Sequence, residues 1–105
     1  MLRAAVIALA LLATSPAHAA VDRATAVATL AGFYRSAEVC NLSISRAKVD
    51  AYRAENTPAG DTLFNVDVFR ATLALSKEQA DWTKEQIDAY CMTAAQTVRD
   101  LGMAL

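Results

Sequence analysis

The sequence predicts an all-α fold, a small bundle of four to five short helices closed by one disulfide between Cys40 and Cys91. Three observations carry that expectation. Apolar residues recur at helical spacing early and late in the chain. Side chains suited to helix capping stand just ahead of most of those runs. The chain holds only two cysteines, one at the end of the first long apolar stripe and one near the start of the last.

Residues 1–20 read as a secretory signal peptide. Arg3 supplies the positive start, and residues 4–13 form an apolar run of about ten residues, well short of the roughly 20 that span a bilayer. Pro16 breaks the run. Ala17, His18 and Ala19 then form an A-x-A cleavage site, which predicts processing between Ala19 and Ala20. No cysteine sits just after that point, which argues against a lipoprotein. The expected organisation is a cleavable leader over 1–19 and a single helical domain over 20–105. Loss of Arg3 leaves nine Lys and Arg against eleven Asp and Glu. That near-neutral balance gives no electrostatic case for nucleic acid or anionic lipid. No later segment is apolar enough to cross a membrane.

Residues 21–40 predict the first helix. Asp22 suits the N-cap, and Asn41 is a natural stop. Ala26, Leu30, Phe33, Ala37 and Cys40 fall on one stripe. A short link leads to Ser45, the expected cap of a second helix over 46–55, with Val49 and Tyr52 as its core candidates. Residues 56–60 form a loop in which Pro58 and Gly60 suit a type I turn. Asp61 is then the expected cap of a third helix over 62–75. The start of that segment also alternates like a strand, but no other segment alternates to pair with it. Leu63, Val66, Phe69 and Leu73 fit one helical face; Phe64, Val68, Ala71 and Leu75 fit the next. Two apolar faces predict a central, buried helix.

Ser76 and Gln79 have the spacing of a capping box, as do Thr83 and Gln86. The first predicts a new helical start over 76–82. The second opens a last helix whose stripe is Ile87, Cys91, Ala94, Val98 and Leu101, with Gly102 as its left-handed stop. Residues 82–101 read as the segment around which the chain is organised, with Cys91 as its fixed point.

Two cysteines in a short exported chain most simply form one bridge. No C-x-x-C and no nearby histidine support a metal or redox pair. His18, the only histidine, lies in the leader, which removes Ser-His-Asp and Cys-His chemistry and imidazole metal sites from the mature chain. There is no glycine-rich phosphate loop and no haem attachment motif. Glu78, Asp81, Glu85 and Asp88 would share one side of a continuous helix, as a solvated face, a hard-cation site or an acid/base pair; the solvated face is the simpler reading. No cofactor and no metal are expected.

Tyr34, Tyr52, Trp82 and Tyr90 are core or core-rim residues, or else line an interface or pocket. Met92, Met103 and Leu105 form an exposed adhesive patch or pack at the helix end, Met103 against Val98. The candidate interface or ligand-lining set is therefore Tyr34, Trp82, Tyr90, Met92 and Met103. In outline the chain is similar to small acid-stress chaperones of the bacterial periplasm and to small helical immunity proteins of the envelope. That similarity is architectural and carries no residue roles across.

The expected function is that of a periplasmic or secreted, non-enzymatic binding protein with another envelope protein as partner. An accessory subunit, an immunity-type inhibitor and a holdase chaperone are the variants. The alternative is a carrier for a small apolar ligand held between helices by Phe33, Phe64, Phe69, Trp82 and Tyr90.

Overall fold

A computed structural model describes residues 21–105. The expected leader and its cleavage point lie outside the described residues. Four α-helices follow in order: α1 (Arg23–Val39), α2 (Arg46–Asn56), α3 (Phe64–Glu78) and α4 (Lys84–Asp100). A 3-10 turn, Gln79–Asp81, sits between α3 and α4. Among the described residues the only extended pairing is an isolated antiparallel bridge between Ile44 and Ala104. The all-α expectation is met, and the third segment is helix rather than strand.

Local chemistry sets most helix ends. The Asp22 carboxylate accepts from the Thr25 amide at 2.8 Å, and the Ser45 hydroxyl from the Lys48 amide at 3.2 Å. Thr83 and Gln86 form a reciprocal capping box, at 2.8 and 3.2 Å. At the far end of α4, the Met103 amide donates to the Val98 carbonyl and the Gly102 amide to the Arg99 carbonyl. With Gly102 at φ +71°, this is a Schellman motif, and Met103 and Val98 share the core cluster that accompanies it. Asn41 turns the chain out of α1 at φ +55°.

Three expected starts and turns differ. Asp61 is not the N-cap of α3, which begins three residues later with Leu63 at the cap position and no side-chain cap; its carboxylate accepts from the Leu63 amide at 3.2 Å and is shared with Arg23. Ser76 opens no helix, because α3 runs through it to Glu78. The Asp61 amide closes a turn on the Pro58 carbonyl, which places Gly60 at the third turn position. Its φ of +76° is the type II value, not type I.

The largest correction concerns the centre of the fold. α1, not α4, is the hub: it packs against each of the other three helices, most extensively along α3. Ala26, Leu30, Ala31 and Phe33 of α1 are buried, together with Val49, Phe64, Val68, Val98 and Met103. α4 contributes only Val98 to the buried set, and Leu101 of its predicted stripe is exposed. The disulfide joins Cys40 to Cys91 with the Cα atoms 5.5 Å apart, so the predicted pairing holds.

Candidate functional site

Side chains distant in sequence lock the first turn of α1. The Arg23 guanidinium contacts Asp61 at 2.5 Å and Asp67 at 2.8 Å, and lies 5.7 Å from the centre of the Phe64 ring. Asn56, buried at the end of α2, accepts from the Val21 amide at 3.0 Å and donates to the Tyr52 carbonyl at 2.9 Å. These contacts bind the start of α1 to α2 and α3. The Arg23 guanidinium holds the Asp61 carboxyl below its ordinary value of 3.8. A depressed folded-state pKa adds stability above the unfolded pKa and loses it as pH falls through the folded one. The melting midpoint should therefore fall more between about pH 5 and about pH 2.5 for the wild type than for Asp61→Asn. Equal falls would show that this pair carries none of the acid sensitivity.

At the other end the chain closes on itself twice. Besides the disulfide, the Ser45 amide donates to the Met103 carbonyl at 2.7 Å, and the Leu105 amide to the Ser43 carbonyl at 3.4 Å. The last three residues thus lie along the link between α1 and α2. Met103 is buried there, so it belongs to the core and not to an exposed patch. Met92 and Leu105 remain exposed, at 75% and 87%.

The other candidate residues do not converge. Trp82 and Tyr90 stack edge to face, with centroids 6.0 Å apart. They line a shallow depression on α4. Phe33 and Tyr90 flank a half-open groove of about 210 Å³ between α1 and α4. Phe64 sits in the core and Phe69 faces out on α3, so the five aromatic residues expected to enclose one ligand are spread over separate places. The carboxylate row is split as well. Trp82 and Thr83 are extended and break the helix, and Asp88 pairs with Lys84 at 2.7 Å. Among the described residues no group of three or more His, Cys, Asp or Glu is placed to hold a metal ion.

What the structure does bring together lies on α3. Its inner face, Phe64 and Val68, is buried. Its other apolar face is not: Leu63, Val66, Phe69 and Leu73 are 61%, 42%, 62% and 47% exposed. The sequence marks both faces, but the expectation that both are buried is wrong. α1 covers one face and no described element covers the other. At roughly 200 Å² per fully exposed side chain of this size, the ridge presents on the order of 400 Å² of apolar surface. Monomers seldom expose more than a few hundred square ångströms contiguously, and such patches are often functional.

Beside the ridge lies a cleft of about 260 Å³, lined by Tyr34, Arg53, Asn65, Val68, Phe69 and Thr72. The Arg53 guanidinium stands 5.3 Å from the centre of the Tyr34 ring. Its Nε is shielded from solvent and has no hydrogen-bond partner within the protein. Tyr34 was a candidate from the sequence; Arg53 was not, because nothing in its surroundings along the chain distinguishes it from an ordinary solvated helix arginine.

No protein-family model, no curated protein and no solved structure matches this chain.

Proposed function

We propose that the chain is an exported, non-enzymatic interaction protein that binds another protein of the cell envelope through the exposed ridge of α3. The ridge is the observation that carries this reading. Four large apolar side chains at positions 63, 66, 69 and 73 form one continuous helical face, the pattern by which a helix anchors in a partner's groove. A standard interface covers about 800 Å² on each partner, and an apolar area on the order of 400 Å² would supply its centre, with a polar rim around it.

Export is supported by the leader-like start of the sequence and by the disulfide, which persists in oxidising compartments. No described helix is long and apolar enough to cross a membrane. A non-enzymatic role is supported by the lone histidine in the leader and by two cysteines joined to each other. Near-neutral charge speaks against nucleic acid as the partner.

The test is site-specific photocrosslinking in the producing cell. A photoreactive residue at position 66, 69 or 73 should give one discrete product with a second protein. The same residue at Glu85, on the exposed first turn of α4, should give none. Absence of a discrete product from the ridge, or equal products from Glu85, would sink the proposal. A product of twice the chain's own mass would replace the envelope partner with a second copy.

A further inference from the structure

We infer that the cleft between α1, α2 and α3 is a binding site for a small monocarboxylate with an apolar tail. The inference rests on Arg53 and stands apart from the reading of the ridge, although Phe69 belongs to both.

Arg53 is an unusual arginine for a surface helix. Arg23, Arg35, Arg46 and Lys84 each pair with an acidic side chain; Arg53, like Lys48, Arg70, Lys77 and Arg99, forms no ion pair among the described residues, but among these it alone carries an enclosed, unpartnered nitrogen and lines this cleft. Its guanidinium lies against the Tyr34 ring, which holds its plane in place. Its Nε donor is cut off from solvent without a partner. A buried donor on a charged group that lacks a partner is costly; with Nε enclosed, Arg53 lines the cleft through the rest of its side chain, and an anion seated there would offset the unpaired charge of the guanidinium as a whole. No acidic side chain lines the cleft, so nothing in the protein supplies the anion.

The rest of the lining describes the remainder of the ligand. Val68, Phe69 and the Tyr34 ring are apolar walls, which a bare inorganic anion would leave without contacts. A single guanidinium suits one negative charge, and its planar fork matches a carboxylate. The volume is at the small end for ligand sites. Polar groups beyond Arg53 are few: the Tyr34 hydroxyl, the Asn65 amide, and the Thr72 hydroxyl, which already donates to the Val68 carbonyl at 2.8 Å. A peptide end would bring backbone N–H and C=O groups that need partners of their own. A free carboxylic acid with a hydrocarbon tail brings none.

The experiment titrates the chain as purified from the producing cell with octanoate, octanol and octylamine. Calorimetry reads binding, and the Arg53 Nε–H resonance reads its place. Octanoate should bind saturably and move that resonance; octanol should bind at least about tenfold more weakly, since a charge-assisted hydrogen bond is lost. Octylamine should not bind. Arg53→Met keeps the apolar bulk of the side chain and should abolish octanoate binding while melting as a folded protein. Several outcomes would overturn the assignment: no saturable octanoate binding, equal binding of octanol, or unchanged octanoate binding by a folded R53M protein. Should R53M fail to fold, the wild-type resonance shift and the octanol comparison still decide. A short peptide ending in a free leucine carboxylate that binds more tightly than octanoate, while its amide does not bind, would overturn the choice of a free acid. Failure here leaves crosslinks from the ridge untouched, and the reverse also holds.

Discussion

Replacing Cys40 with Ser should lower the stability of the chain by about 2–5 kcal/mol, the usual cost of removing a native disulfide from a small exported domain. The bridge spans 51 positions, for which chain entropy alone gives about 4 kcal/mol. Small domains have net stabilities of about 5–15 kcal/mol, so the loss decides whether the chain stays folded on warming. The structure adds where the loss should appear. α1, α2 and α3 hold most of the core, whereas α4 is attached by Val98, by the disulfide and by the Met103 tail. Amide exchange in the variant should therefore accelerate most in α4 and least along the α1–α3 contact. An unchanged melting midpoint, or uniform acceleration across all four helices, would contradict this account.

Phe64→Ala should cost about 3–5 kcal/mol, and Phe69→Ala less than about 0.5 kcal/mol. The two rings are five residues apart in one stretch of helix. Phe64 is fully buried and Phe69 is 62% exposed. Truncation of Phe64 removes its contacts and leaves a cavity beneath Arg23 in a core that can collapse only partly. Truncation of Phe69 removes a ring that water already reaches. Chemical denaturation of the two variants measures the difference directly. Similar costs would mean that α3 is turned the other way, and the exposed ridge would disappear with it.

Two nearly identical tetrapeptides show where sequence reading succeeds and fails. Thr83-Lys84-Glu85-Gln86 caps α4 as its spacing predicts. Ser76-Lys77-Glu78-Gln79 has the same spacing and caps nothing. There α3 continues to Glu78, and Gln79 is buried, accepting from the Arg35 Nε at 2.7 Å. A capping box lowers the free energy of a helix start, but a helix packed along α1 gains more by continuing. The same limit explains Asp61. Its position suits a cap, yet Arg23, 38 residues earlier, makes the stronger charged contact. The Ile44–Ala104 bridge and the Asn56 clamp likewise join residues far apart along the chain.

The candidate site was readable only in part. The apolar faces of α3 are plain in the spacing, but periodicity reports that a face is apolar, not that something covers it. Tyr34 could be named as a ring with a polar tip, whereas Arg53 becomes notable only once its Nε is enclosed.

By itself, the amino-acid order determined the helical class, the stops at Asn41 and Gly102, the caps at Asp22, Ser45 and Thr83, and the one cysteine pairing open to the chain. These depend on interactions among residues a few positions apart, or on there being a single choice. Only the tertiary structure decided that α1 is the hub, that Met103 turns inward, that one face of α3 stays bare and that Arg53 lacks a partner. Each of those depends on which surfaces meet once the helices pack, and a helix presents the same stripe to its neighbours whether or not one of them comes to cover it.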